Sequence, residues 1–77
     1  MSSKMSDVTL HVDENTSHGE RENLRNALLS TSGIMAAAYH DEKPHLFVIE
    51  YDPDKINSSE LIDVAKSCGL NSELVGL

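Results

Sequence analysis

The sequence is poor in cysteine, tryptophan and basic residues. Its 77 residues include one cysteine, no tryptophan, two prolines and only six lysines or arginines. The one cysteine, Cys68, cannot form an internal disulfide, so the chain does not require an oxidising compartment. No segment has the roughly 20 consecutive apolar residues of a membrane span, and the N-terminal residues lack the apolar run of a signal peptide. We therefore expect a cytoplasmic protein.

The scarcity of basic residues also limits the possible partners. Thirteen acidic residues give the chain a formal net charge of −7. This charge repels phosphate backbones and anionic lipids, and no cluster of lysine or arginine offsets it. We therefore expect neither nucleic acid nor a membrane as partner, whereas cations and basic protein surfaces fit the charge.

The length allows one small domain. A chain of 77 residues, of which 39% are hydrophobic, has room for a single two-layer core. The polar N-terminal residues 1–6 are predicted to be a disordered lead-in. Residues 7–77 are predicted to form the domain.

Four segments have the patterns of β-strands. Val8–Val12 alternates apolar and polar residues, and His45–Tyr51 is apolar almost throughout, which favours a central strand partly covered on both faces. Ile34–His40 and Asn71–Val75 are the other two predicted strands. The Met35–Ala38 part of the second strand has equal propensity for a helix, but Gly33 before it and a charged turn after it favour a strand.

Two segments have the start and stop signals of helices. Ser17 and Glu20 form a Ser-x-x-Glu capping box, and Asn57–Glu60 has the same kind of signal. Gly33 and Gly69 are placed to end the two helices in a left-handed conformation. Apolar positions of the first helix recur at i, i+3, i+4 and i+7: Leu24, Ala27, Leu28 and Thr31.

The predicted element order is therefore βαββαβ. Two helical crossovers between strands place both helices on one face of a four-stranded antiparallel sheet. The predicted fold class is α+β, a ferredoxin-like sandwich.

Several fragments resemble heavy-metal-associated (HMA) domains, the metallochaperone-like family. They are Tyr51–Ile56 followed by Ser-Ser-Glu-Leu-Ile, then Cys68-Gly69, and the pair Ala27-Leu28 with Gly33-Ile34 in the first half. The resemblance extends from about Asp7 to Val75 and implies the same ferredoxin-like fold.

The family binds Cu(I) through Gly-Met-Thr-Cys-x-x-Cys at the start of the first helix, and this chain departs from that motif. The resemblance places the motif on Glu14–Glu20, where only Thr16 is retained and the two cysteines are replaced by Ser17 and Glu20. Cu(I) prefers thiolates to hard oxygen donors, and both replacements have a structural reason as helix caps. The sequence therefore predicts a divergent member, with a protein-interaction or regulatory function and no Cu(I) thiolate site.

The alternative function is binding of a divalent transition metal by histidines. The predicted topology gathers all four histidines at one end of the sheet, where His18 and His45, with Glu20 or Asp13 as a further ligand, form a candidate site for Zn²⁺, Ni²⁺ or Cu²⁺. His11 and His40 are predicted to point to the open sheet face and not to join this pair easily. The opposing interpretation is that these are ordinary surface histidines, since no His-x-x-His or Cys-x-x-Cys spacing is present.

The open face of the sheet offers a second candidate surface. Leu46, Val48, Ala36 and Ala38 are predicted to lie there without a helix to cover them. Such a strip is typical of a contact with a protein partner or a second copy of the chain, although a strip this small can also be tolerated in a monomer. No enzyme is predicted, because the sequence lacks a nucleophile arrangement, a phosphate loop and a specifically spaced carboxylate pair.

Overall fold

The computed structural model describes residues 5–75 and confirms the predicted βαββαβ order. The elements are β1 (Ser6–Val12), α1 (His18–Leu29), β2 (Ile34–Tyr39), β3 (Leu46–Tyr51), α2 (Ser58–Ser67) and β4 (Ser72–Val75). Most of the predicted lead-in, residues 1–4, lies outside the described residues, whereas Ser6 already belongs to β1, two residues before the predicted start. Within residues 5–75, no helix is both long enough and apolar enough to cross a membrane.

The four strands form one antiparallel sheet in the order β2-β3-β1-β4. The long central strands β1 and β3 pair over six positions, and Leu10 lies between Phe47 of β3 and Leu74 of β4. Side chains alternate between the two faces of a strand. The predicted inward set of β1 therefore lies on a single face together with the aromatic residues of β3.

The core lies between that face and the two helices. Its sheet layer consists of Val8, Leu10, Val12, Ile34, Ala37, Phe47, Ile49 and Tyr51, and its helix layer includes Leu24, Leu28, Leu61 and Ala65. Both layers match the apolar periodicities of the sequence. The predicted sandwich with both helices on one face is confirmed.

A β-bulge makes the spacing of β2 compatible with its burial. Ile34 and Ala37 are both buried although an odd separation puts residues on opposite faces of a regular strand. The pairing with β3 shifts between Ile34 and Ala36, because one extra residue is inserted there. Met35 is left exposed at the shift, and the strand prediction for this segment is confirmed over its helical alternative.

The two helices end differently. Gly69 (φ 81°) follows the C-cap of α2 in the left-handed region, and the N–H groups of Gly69 and Leu70 donate to the carbonyls of Lys66 and Ala65. This is the Schellman pattern. The predicted left-handed conformation of Gly33 (φ 95°) is confirmed, but Gly33 does not directly follow the C-cap of α1, which is Ser30; it lies three residues later, directly before β2.

Strand β3 is central, and its two faces are covered to different extents. Phe47 and Ile49 are fully buried under the helices, whereas on the other face Leu46 and Glu50 are half-buried and Val48 is 50% exposed. The predicted central position with partial cover is therefore confirmed. The nearly continuous apolar sequence of β3 places an apolar side chain in the middle of the open face.

Candidate functional site

The loop that joins β1 to α1 is held by the predicted capping box. The Ser17 Oγ accepts a hydrogen bond from the Glu20 N–H at 3.2 Å, and Glu20 Oε1 accepts one from the Ser17 N–H at 2.8 Å. Both side chains satisfy backbone groups that the helix start leaves without a partner. Their role as caps is confirmed.

Arg21 fastens this loop to the β2–β3 turn. Its side chain is buried and donates from Nη1 to the backbone oxygen and, at 3.0 Å, to Oγ1 of Thr16. Its Nε and Nη2 donate to Oδ1 of Asp41 at 3.1 and 3.0 Å. Thr16 Oγ1 in turn donates to the Pro44 oxygen at 2.9 Å. The one retained motif residue, Thr16, therefore has a structural role in binding the loop to the hairpin.

His18 and Tyr39 extend this network at the surface. His18 Nδ1 lies 3.0 Å from Asp41 Oδ1, and its ring meets the Tyr39 ring edge-on with centroids 6.2 Å apart. The hydrogen bond from His18, followed by those from Arg21, lowers the pKa of Asp41. The Tyr39 hydroxyl donates to the Glu22 carboxylate, which raises the pKa of Tyr39 to about 12.

His45 belongs to a different pair from the predicted one. Its Nδ1 donates to the Val12 carbonyl oxygen at 2.7 Å, and its ring stacks on His11 with centroids 5.5 Å apart and planes at 12°. The sequence predicted that His45 points toward His18 and that His11 does not easily join that pair, whereas the contacts of the His45 ring are with Val12 and His11. His45 lies in the turn directly before β3, next to the end of β1.

Comparison with known proteins finds likeness in solved structures only. No family model and no curated protein matches the sequence. Oxidized MerP from Ralstonia metallidurans superposes with a TM-score of 0.86 and 19% identity over 95% of this chain and 100% of that chain. The N-terminal domain of a potential copper-translocating P-type ATPase from Bacillus subtilis gives 0.85 and 16% over 95% and 90%. The CopZ metallochaperone gives 0.79 and 20% over 88% and 100%.

The chain has the fold of an HMA domain. The structural likeness covers nearly the whole chain, which confirms the fold that the sequence fragments implied. At identities of 20% or less, it is a likeness of fold alone.

The residues of this HMA fold do not fit a Cu(I) site in the β1–α1 loop. The donors at the two cysteine positions are the Ser17 hydroxyl and the Glu20 carboxylate, and each is occupied by a backbone N–H. Cu(I) selects soft sulfur ligands. Cys68, the only cysteine, is half-buried at the C-cap of α2 and packs against the core.

The predicted divalent site is not assembled in this HMA fold. His18 contacts Asp41, Glu20 caps its helix, and His45 contacts Val12 and His11. Across residues 5–75, no group of three or more His, Cys, Asp or Glu side chains could hold a metal ion. The ligand set His18, His45 and Glu20 stays a prediction.

The open face of the HMA sheet has an apolar row across all four strands. The register places Ala38, Val48, Thr9 and Val75 side by side, and Val48 and Val75 are exposed. An open cavity of about 280 Å³ lies between this row and Leu46. The neighbouring row toward the start of β1 is acidic, with Asp7 opposite Glu50.

Two polar contacts were not predicted from the sequence: the hydrogen bonds of Arg21, and those of Glu14 with Asn71, the residue directly before β4, which we call the clamp on β4. The sequence did contain a signal for Arg21, because it precedes Leu24 by three residues and Leu28 by seven and therefore shares their buried face. The clamp is the Glu14 carboxylate, which accepts from the backbone and side-chain amides of Asn71 at 2.9 and 2.8 Å. These residues are 57 apart, and no local pattern joins them.

Proposed function

We propose that this chain is a non-catalytic protein-interaction domain, built on the HMA fold without a Cu(I) thiolate site. Its docking surface is the open sheet face, centred on Leu46 and Val48. The observation that supports this proposal is the apolar row of Ala38, Val48 and Val75, which no helix covers. We also propose a cytoplasmic location, since Cys68 has no internal partner for a disulfide.

The energetics favour a contact through Val48. Burial of an exposed valine side chain against a partner contributes about 1.5 kcal/mol or more at the usual value per apolar area. Val48 stands in the middle of the sheet, where a flat partner surface reaches it together with Ala38 and Thr9. A central apolar contact surrounded by polar groups is the usual arrangement of a protein interface.

Charge decides the kind of partner that fits this face. The chain has a formal net charge of −7, and Asp7 and Glu50 flank the apolar row on one side. Two copies of the chain repel one another, whereas a partner with basic residues around an apolar centre is attracted. We therefore assign a basic partner protein to this surface in preference to a second copy.

The test compares three forms of the chain as bait for interacting proteins. Val48→Glu places a charge at the centre of the docking surface. Leu29→Glu is the matched control on α1, where the leucine is 39% exposed, against 50% for Val48. We expect a basic protein that binds the wild type and Leu29→Glu, that loses about tenfold or more in affinity for Val48→Glu, and whose affinity falls with added salt.

Two results contradict the proposal. Equal binding by Val48→Glu and the wild type would show that the open face is not the docking surface. A wild type that forms dimers in light scattering at micromolar concentration, with Val48→Glu monomeric, replaces the basic partner by a second copy.

A second candidate function is the binding of a divalent transition metal by histidines. It is favoured by the contact between His45 and His11, which brings two imidazoles together at one end of the sheet. This candidate requires no partner protein and is tested separately.

A further inference from the structure

We propose that His11 and His45 are the paired ligands of a site for a borderline divalent cation, Zn²⁺, Ni²⁺ or Cu²⁺. The inference rests on the second candidate function above and is independent of the docking of a protein. The prediction paired His45 with His18, whereas the site proposed here pairs His45 with His11, whose ring it contacts. This site does not include the β1–α1 loop.

The two histidines are attached to neighbouring, hydrogen-bonded segments of the chain. His11 lies in the central strand β1 opposite Leu46, the first residue of β3, and His45 is the turn residue directly before Leu46. The Val12 N–H donates to the His45 oxygen at 2.8 Å, which extends the pairing of β1 and β3 by one residue. Backbone hydrogen bonding therefore places the two residues next to each other.

The hydrogen bond of His45 prepares its ring for a ligand. A carbonyl oxygen can only accept, so the 2.7 Å contact with Val12 places a proton on Nδ1 of His45. The neutral ring then presents Nε2 as the nitrogen with a free lone pair. Metal-binding histidines are usually oriented by this kind of hydrogen bond to a backbone carbonyl.

The separation of the two rings fits a shared metal ion. With metal–nitrogen distances of about 2.0–2.1 Å, the metal lies about 3.2 Å from each ring centroid, and a tetrahedral angle then places the centroids about 5.2 Å apart. The observed separation of the His11 and His45 centroids is 5.5 Å. The observed separation of the two rings is therefore close to the value for a shared ion.

The orientation of the two rings has to change before they can share an ion. A metal ion lies in the plane of each imidazole that binds it, whereas these two planes are stacked at 12°. The His11 side chain is 41% exposed, and within residues 5–75 its buried Nδ1 has no hydrogen-bond partner. Rotation of the His11 ring therefore breaks no hydrogen bond of Nδ1 among these residues.

The surrounding charges favour a cation on balance. Asp13 Oδ1 lies 3.6 Å from His11 Nδ1, and Glu42 lines the open cavity of about 360 Å³ at the two rings. Lys43 lines the same cavity and opposes a cation. Two imidazoles select Zn²⁺, Ni²⁺ or Cu²⁺ over Mg²⁺ or Ca²⁺, and water molecules complete the coordination.

The experiment is a titration with Zn²⁺ as its chloride, followed by NMR of the histidine ring protons and backbone amides at neutral pH. His11→Gln and His45→Gln remove one ligand each, and His18→Gln and His40→Gln are the matched controls at the same end of the sheet. We expect saturable shifts at His11 and His45 in the wild type. Each ligand variant should raise the half-saturating Zn²⁺ concentration about tenfold or more, and each control should match the wild type.

Two outcomes overturn the proposal and differ in how far they reach. Shifts centred on His18 or His40, with the two ligand variants titrating like the wild type, overturn this ligand pair and leave histidine metal binding in place. An absence of shifts anywhere at millimolar Zn²⁺ overturns both this ligand pair and the binding of a divalent metal by the histidines. The amide spectrum reports whether each variant is folded. His11→Gln keeps the test decisive, because it leaves the backbone pairing of His11 in place and because, within residues 5–75, the Nδ1 of His11 makes no hydrogen bond that the fold could lose.

Discussion

Arg21 is buried, and its guanidinium group donates two hydrogen bonds to a single oxygen of Asp41, which is itself largely exposed. The pair joins the first turn of α1 to the turn between β2 and β3. Its members are unequal, because the arginine has left water and the carboxylate has not. Loss of the carboxylate therefore leaves a buried cation without its charged partner, whereas loss of the arginine leaves a hydrated carboxylate.

This difference in burial predicts that substitutions of Arg21 and Asp41 change the free energy of unfolding non-additively. Arg21→Met should lower the free energy of unfolding by about 1–3 kcal/mol, because it removes the hydrogen bonds to Thr16 as well as those to Asp41. Asp41→Ala should also destabilise the wild type, but it should have little effect in the Arg21→Met background. Urea unfolding of the four forms measures the coupling; strictly additive effects would show that the pair does not act as a unit.

The Glu14 clamp on β4 predicts an acid-dependent loss of stability. The backbone N–H of Asn71, donating to the carboxylate, holds the pKa of Glu14 below 4.5 in the folded chain. A folded pKa below the unfolded value stabilises the fold above pH 4.5, and this stabilisation disappears as the pH falls through the folded pKa.

Glu14→Gln should therefore be less stable than the wild type at neutral pH, and the difference should shrink below about pH 4.5. Urea unfolding between pH 3 and 7 provides the comparison, and Glu73→Gln, at an exposed position of β4, is the control. A difference that stays constant over this range would exclude the clamp as its source.

The raised pKa of Tyr39 predicts a loss of stability at high pH. The hydrogen bond to the Glu22 carboxylate raises the pKa of Tyr39 from 10.0 to about 12. The neutral phenol therefore stabilises the fold fully below pH 10, and this contribution is lost as the pH rises toward 12. Ultraviolet titration of the phenolate should show the high transition in the wild type, its absence in Tyr39→Phe, and its return toward pH 10 in Glu22→Gln. An unchanged midpoint in Glu22→Gln would argue against the hydrogen bond as the cause.

Gly33 and Gly69, which both have a positive φ, should differ in how much an added methyl group destabilises the fold. At Gly69 an added Cβ meets no atom within 4 Å, so Gly69→Ala should cost only the left-handed conformation, about 1–2 kcal/mol. At Gly33 the Cβ would lie 2.9 Å from Cγ2 of the buried Ile56. Gly33→Ala should cost about 1 kcal/mol more, because Ile56 must also move. Thermal and urea unfolding measure both, and equal costs would contradict the close contact at Gly33.

Secondary structure and its order could be predicted from the sequence because their signals are local. Ser17 with Glu20 caps α1, Asn57 with Glu60 caps α2, and the period-2 pattern of β1 identifies its buried side. Each signal involves residues within one turn or one strand, where backbone hydrogen bonding and burial act directly on the neighbouring side chains.

The sequence by itself therefore determined the βαββαβ order, the inward faces and the absence of a thiolate pair at the start of α1. The tertiary structure alone decided which polar groups meet: Arg21 with Asp41, Glu14 with Asn71, and His45 with His11 instead of His18. These pairs lie 20, 57 and 34 residues apart, the last being the difference between positions 45 and 11. The physical reason is that a polar contact depends on the direction of a side chain and on a few ångströms of separation, which the packing of strands and turns sets and which no periodicity of the sequence encodes.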